Sequence, residues 1–211
     1  GIGDAIIDGL QVRTFENGPG LWLRALPVPE VDTHKYRRGH VGVFSGGPTT
    51  TGAARLSALA AARSGAGAVT KLSPANALMV NAAHLTSIML RKIDETAELE
   101  AFLAERRPSA LVLGPGFGVE EKARDFALAV LGARGGVEGL VLDADGITAF
   151  RQQPGLLFAA AAEKGAPALV LTPHEGEFAR LFPDLAADEA LSKLGRARAA
   201  ARIACPARSS R

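Results

Sequence analysis

HVGVFSGGPTTTGAARLSALAAARSGAGAVT, His40 to Thr70, decides how this chain folds. Val41, Val43 and Phe44 form a short apolar run of strand type. Gly46, Gly47 and Pro48 stop it. Thr49, Thr50 and Thr51 then offer hydroxyls where a helix must begin, and such a hydroxyl is a good N-cap. The next segment carries alanine at almost every second position and ends at Gly65 and Gly67, as helices end at glycine. A second strand follows. The glycine turn leaves backbone N–H groups of a helix N-terminus pointing at one spot, which suits an anionic or strongly polar ligand. A plain tight connection uses the same residues, and a glycine turn without a lysine does not separate the two readings.

The pattern repeats outward from this unit. Strand signals recur at Ala68–Leu72, Thr86–Leu90, Ala110–Leu113, Leu140–Leu142 and Ala168–Leu171. Helical signals fill Gly52–Ser64, Ala75–Ala83, Ala97–Glu105, Glu120–Leu131, an interrupted stretch over Ile147–Lys164, Gly176–Leu181 and Leu191–Ala204. Runs such as LVLG and ALVL are apolar on both faces, the mark of a parallel sheet covered by helices on each side. Right-handed crossovers put every strand's C-terminal end on one edge, where ligands bind in such sheets.

Composition sets the limits. The chain has 211 residues, 47% hydrophobic and 22% charged, enough for one domain with a real core. Net charge is +2, too small for a nucleic-acid binder. The single cysteine, Cys205, excludes an internal disulfide and fits a reducing compartment. No apolar run reaches membrane-spanning length and no signal peptide is visible, so the expected location is cytoplasmic, with no membrane partner. Residues 1–33 hold Pro19, Pro27 and Pro29 and no sustained period, and are expected to be a linker or tail from an upstream segment. The alternating pattern starts at His34. The basic, alanine-rich Lys193–Arg211 reads as a solvated helix face.

Four strands end in unusual loops. The first is GGPTTTGAA. The second is Gly114-Pro115-Gly116-Phe117-Gly118, whose glycines let a ligand approach backbone closely, or simply make a tight turn. The third is Asp143-Ala144-Asp145-Gly146. Its carboxylates, two residues apart at a strand end, face the same way. They can hold Mg²⁺ or accept from a sugar, or serve as an N-cap and a loop-stabilising aspartate. The fourth is Thr172-Pro173-His174-Glu175-Gly176-Glu177-Phe178. It fits a capping box with Thr172 as N-cap, Pro173 at the first helical position and Glu175 closing it. A histidine there can also donate to a polar substrate near neutral pH. His34, His40 and His84 have no partners at metal-ligand spacing, which argues against a zinc site. No GxSxG, GxxxxGK[ST] or strand-linked GxGxxG with a later acid is present, so neither nucleophilic catalysis nor either phosphate fingerprint has a candidate.

HKYRRG (His34–Gly39), GGPTTTGAARLSALAAARSGAGAVT, LVLGPGFG, LVLDADG and LTPHEGEFARLF occur in this order. Together, over about His34 to Arg202, they resemble the ADP- or ATP-dependent NAD(P)H-hydrate dehydratase family. The resemblance implies an α/β, ribokinase-like three-layer sandwich with a mainly parallel central sheet. It implies nucleotide-dependent dehydration of hydrated NADH or NADPH, with ADP or ATP and Mg²⁺ as cofactors. Ala53, Gly116 and His174 would line the hydrated nicotinamide nucleotide. Gly46, Gly47, Gly118, Asp143 and Asp145 are weaker candidates. The segment DGLQVRTFENGP resembles the junction in bifunctional members, where an epimerase domain precedes the dehydratase.

The chain also departs from the family. Thr50 stands where many relatives have tyrosine, and Glu175 where many have proline. The family's lysine-glycine segment and its glycine-threonine/serine-glycine-aspartate motif, whose aspartate is the catalytic base, are not among these residues; CPARSSR stands at the end. No catalytic residue is therefore named. The expectation is a dehydratase domain over 34–211, missing its last strands and helices and inactive alone. A shortened sheet exposes an apolar edge, which is expected to drive homo-oligomerisation or to be covered by the 1–33 tail. A sugar or vitamin kinase of the same fold and a non-catalytic nucleotide-binding module are the alternatives.

Overall fold

The structure, a computed structural model, describes residues 3–10, 14–26 and 35–204. His34, Cys205 and the end of the basic tail lie outside them. The chain divides between Thr33 and His34 into two units. The first holds two short helices, α1 (Asp4–Gly9) and α2 (Pro19–Trp22), and a 3-10 turn at Leu23–Ala25. These turns were not foreseen from a stretch without period. Pro19 sits at the start of α2, where its missing N–H costs nothing. The Trp22 indole N–H donates to Asn17 Oδ1 at 3.0 Å.

The second unit is a six-stranded, wholly parallel sheet. Its strands are β1 (His40–Phe44), β2 (Ala68–Ser73), β3 (Met89–Lys92), β4 (Ala110–Leu113), β5 (Gly139–Leu142) and β6 (Ala168–Leu171). The order is β3-β2-β1-β4-β5-β6. The helices are α3 (Thr51–Arg63), α4 (Leu78–Ala83), α5 (Thr96–Arg106), α6 (Glu121–Gly132), α7 (Asp145–Thr148), α8 (Pro154–Ala162), α9 (Glu175–Leu181), α10 (Pro183–Ala187) and α11 (Lys193–Ala204). The expected α/β class and parallel sheet are what the chain adopts. Sequence order reverses between β1 and β4, which puts the topological switch point at the C-terminal ends of those two strands.

Two apolar clusters hold the layers. The larger packs Phe44, Leu111, Phe126, Leu140, Phe150 and Leu157 on one side of the sheet. Phe44, Phe117 and Phe126 meet with ring centroids 5.6–5.9 Å apart, and Phe117 comes from the second glycine loop. The smaller packs Val43, Ala54, Ala58, Val69 and Ile88 under α3. Its alanines let that helix sit close on the sheet.

Three expectations shift. The third strand is Met89–Lys92, not Thr86–Leu90. It is an edge strand, so its apolar run stops before its hydrogen-bonded run does. Lys92 bonds Asp94 and Glu98, and Glu98 also accepts from the backbone N–H groups of Asp94 and Glu95 at the start of α5. The Asp94 N–H and then Lys92 hold the Glu98 carboxyl down to about 2. The interrupted helical stretch resolves into α7 and α8, with Pro154 starting the second. α10, also opened by a proline, was not foreseen.

His40 opens β1 and is buried. Its Nε2 lies 2.8 Å from Thr70 Oγ1, and its ring meets Phe102 edge-on. Burial lowers its pKa below 6.5, against a hydrogen bond to the Arg106 backbone that raises it. The unfolded chain thus binds this proton at higher pH than the folded one. Stability from this group is complete above pH 6.5 and falls as pH drops through the folded value. The urea midpoint should fall as pH drops below 6.5, ahead of carboxylate protonation. His40→Gln should lose that slope; an unchanged slope would show that another group sets it.

Candidate functional site

The four glycine, aspartate and histidine loops leave β1, β4, β5 and β6, which are neighbours in the sheet. Each grips the next. Thr50 Oγ1 donates to the Gly116 carbonyl at 2.6 Å, joining the first loop to the second. Gly46 lies so close that a Cβ there would stand 1.7 Å from the Gly116 oxygen. Gly116 has φ +68°, and a Cβ on it would stand 2.8 Å from the Thr50 oxygen. Any larger residue at these two positions would push the loops apart.

The second loop grips the third in the same way. Gly114, at φ +139°, would place a Cβ 1.7 Å from the Asp143 oxygen. The Gly118 N–H donates to Asp145 Oδ2 at 2.9 Å. Thr172 Oγ1 donates to Asp143 Oδ1 at 2.9 Å, tying the fourth loop to the third. The two carboxylates therefore serve opposite neighbours, Asp145 towards β4 and Asp143 towards β6. Among the described residues no group of three or more His, Cys, Asp or Glu can hold a metal ion. As the two carboxylates stand, each is turned to a different loop.

The rim keeps open ground where the glycines do not touch. A Cβ at Gly47 or Gly118 would meet nothing within 4 Å. Ala53 lies in the first turn of α3 and is exposed. Thr50 occupies the N-cap position of α3 but makes no side-chain cap, since its hydroxyl bonds Gly116 and Gly47 instead. The expected threonine cap is thus corrected. The hydroxyl is spent between loops, and the first N–H groups of α3 have no side-chain cap from it.

The fourth loop also differs from expectation. His174, not Thr172, is the N-cap of α9, and Glu177, not Glu175, closes the box. His174 Nδ1 accepts from the N–H groups of Gly176 at 3.0 Å and Glu177 at 3.4 Å. Glu177 Oε2 accepts from the His174 N–H at 3.0 Å, and Glu177 Oε1 lies 3.1 Å from His174 Nε2. An Nδ1 that accepts places the ring proton on Nε2, where it faces Glu177. The ring is two-thirds exposed while Glu177 is buried, so the histidine presents a face held in place at the rim. Glu175 points elsewhere and pairs with Lys193 at 2.7 Å. Thr172 is free to reach Asp143 because it is not needed as a cap.

Some of the site had no strong sequence signal. Ala144 has φ +48°, a left-handed backbone that costs a non-glycine residue and makes the sharp turn from β5 into α7. Lys71, in the apolar strand AVTKLS, is buried behind α3; a lysine inside such a run was the available hint. A cleft of about 380 Å³ lies beside β6, walled by Leu169, Leu171, Phe178, Phe182 and Ala200. It shares Pro173 and Glu175 with the fourth loop but none of the glycines. Glu175, Lys193 and Arg196 also line it.

Residues 41–205 match the family model described as NAD(P)H-hydrate dehydratase. The chain belongs to that family. It is 36% identical over 157 residues to a bifunctional NAD(P)H-hydrate repair enzyme of Synechocystis, covering 72% of this chain and 28% of the relative. It is 33% identical over 151 residues to an ADP-dependent (S)-NAD(P)H-hydrate dehydratase of Lactiplantibacillus plantarum, covering 71% and 51%. The chain thus spans under a third of the bifunctional relative and about half of the shorter one. The Bacillus subtilis ADP/ATP-dependent NAD(P)H-hydrate dehydratase, co-crystallised with ATP/Mg²⁺, superimposes with TM-score 0.59 at 26% identity, over 76% of this chain and 53% of that one. A ribokinase-like protein of Enterococcus faecalis superimposes at 0.67 with 23% identity, over 84% and 59%, which supports the fold. No helix among the described residues is long and apolar enough to cross a membrane.

The interloop bond gives a direct test. Thr50→Val leaves the Gly116 carbonyl without its hydroxyl donor and should cost about 1 kcal/mol in urea denaturation. A variant as stable as the wild type would mean the rim does not depend on that bond.

Proposed function

We propose that this chain contributes the substrate-holding part of an enzyme that restores hydrated NADH or NADPH. The carrying observation is the rim itself: four family loops in sheet order, each locked to the next, around open backbone at Gly47, Gly118 and the first turn of α3. Ala53, Gly116 and His174 line the hydrated nicotinamide nucleotide in this reading. Gly46 and Gly114 hold the rim's shape, and Asp143 and Asp145 tie its loops rather than a metal.

The reaction is phosphorylation of the nicotinamide-ring hydroxyl by ADP or ATP, followed by loss of phosphate. Hydroxide is a poor leaving group and phosphate a good one, which is why a nucleotide is consumed. Such transfer asks a protein for positioning and charge neutralisation more than for a nucleophile. The rim meets that demand with fixed backbone and a histidine held by its cap to α9. Magnesium arrives with the nucleotide in this reading, and no catalytic base is assigned among the described residues. Residues 1–33 act as a linker from an upstream epimerase domain, and 34–211 belong to the dehydratase domain. The cytoplasm is the proposed location.

Binding of hydrated NADH to this chain, followed by calorimetry, tests the reading. His174→Asn keeps a capping side chain for α9 but removes the ring. It should weaken binding about tenfold, equivalent to about 1.4 kcal/mol, with little loss of stability. Full-strength binding by His174→Asn would remove the histidine from the site. Recovery of the reduced-nicotinamide absorbance by these 211 residues with ADP or ATP would show that they hold the base after all.

β6 is an edge strand, and Val170 on it is 49% exposed. Exposed edges of this kind pair with other chains. Self-association through β6 is the proposed state. Light scattering should give a dimer or larger species, and Val170→Lys should shift it to monomer; a wild-type monomer overturns the proposal.

A further inference from the structure

β2 carries a lysine in the middle of an apolar strand. Lys71 is 1% exposed, and its Nζ donates to the Thr51 carbonyl at 3.0 Å. Thr51 is the first residue of α3. An ammonium taken out of water is costly unless a charge meets it. Among the described residues no carboxylate does so. Across the sheet Lys71 faces Val43 and Leu90. α3 brings Arg55 and Arg63, β3 brings Arg91 and Lys92, and β1 brings His40. The turn Lys35–Arg38 is basic, and the 3-10 turn Ala75–Ala77 and α4 are uncharged, with His84 beyond them. The nearby acids are engaged elsewhere: Asp94 with Lys92 and the Ala75 N–H, Glu98 with Lys92 and two backbone N–H groups.

A second buried polar group stands close by in the sequence of the same strand. Ser73 is two residues on, on the same face of β2. Asn81 Nδ2 donates to Ser73 Oγ at 2.8 Å and to Ser45 Oγ at 3.1 Å, just before the glycine turn. Asn81 Oδ1 is buried with no partner among the described residues. Core positions under a helix are normally apolar, and a methionine fills a lysine's volume. A cation retained there does something that volume does not.

The geometry points to Lys71 as a positioning residue, whose ammonium holds the first turn of α3, and with it Ala53, at the height at which the hydrated nicotinamide nucleotide is bound. This rests on the reading of Ala53 as part of the substrate wall. Lys71 touches no substrate; it acts through the Thr51 carbonyl.

Charge makes the inference testable. Burial, and then the like charge of Arg55, push the Lys71 ammonium down from 10.5 to about 8. Between these values the unfolded chain binds the extra proton, so global stability rises with pH across that window. The clamp on Thr51 weakens over the same window, because a charged donor becomes a neutral one. A side chain that merely fills the core moves both in one direction. A positioning cation moves them apart.

Amide exchange of peptides covering Thr51–Arg55, corrected for intrinsic rates, should be measured on either side of pH 8 beside urea midpoints and hydrated-NADH affinity. In wild type the first-turn protection and the affinity should each fall roughly tenfold above that pH while the urea midpoint rises. Lys71→Met should show the weaker protection and affinity at both pH values, and Lys71→Arg should keep them high above pH 8. First-turn protection that does not change with pH in wild type overturns the inference without need of any variant. So does a Lys71→Met protein with wild-type protection and affinity. If the exchange pattern appears but wild type binds no hydrated NADH at any pH, the substrate reading fails and the clamp stands.

Discussion

The rest of this structure depends on backbone packed directly against backbone where the sheet reverses order. Gly46 lies on the Gly116 carbonyl and Gly114 on the Asp143 carbonyl, at separations that leave no room for a Cβ. Loops at the end of a parallel sheet usually move independently. Here β1, β4, β5 and β6 end in loops that cannot, since each is braced by the next. A binding surface made of such loops is ordered before any ligand arrives, so little entropy is lost when one binds.

That rigidity fits the chemistry proposed for the chain. Moving a phosphoryl group onto a ring hydroxyl requires two substrates held in line more than it requires a reactive side chain. The rim supplies fixed N–H groups, small residues and an imidazole whose Nδ1 is committed to α9 and whose Nε2 faces Glu177. The same geometry explains why the aspartates do not gather a metal. Asp143 and Asp145 straddle the left-handed Ala144, and each is drawn to a different neighbouring loop.

Much of the fold was legible because strand burial leaves a plain trace. Ala110–Leu113 and Ala168–Leu171 are both continuous apolar runs and both strands begin and end where the run does, yet only β4 is covered on both faces, since β6 at the sheet edge stays partly exposed. β3 was misplaced because an edge strand needs only one buried face, so its hydrogen bonds run on through Arg91 and Lys92. In the site, the loops and their order were legible, whereas the partners were not. Thr50 sits where a cap belongs, and only the neighbouring loop shows that its hydroxyl goes to Gly116. His174 and Thr172 both fit a helix start, and the choice was made by Asp143, which lies about thirty residues earlier and takes the threonine's hydroxyl. Such contacts are between loops far apart in sequence, and local pattern does not encode them.

The departures from local rules fall in several places. At the opposite edge of the sheet His40 has a partner for its ring, and at the outer edge strand Lys92 and Glu98 satisfy each other and the start of α5. Elsewhere lie two non-glycine residues at positive φ, Arg107 after α5 and Ala144 after β5, and at β2 and α4 a buried lysine held by a backbone carbonyl and a buried amide oxygen with no partner among the described residues. Each alone weakens the fold. Sequences that fold well keep such conflicts only where something offsets them, and that place is usually a site. The buried lysine is offset at one such place, where its Nζ bonds the Thr51 carbonyl at the first turn of α3, the turn that carries Ala53.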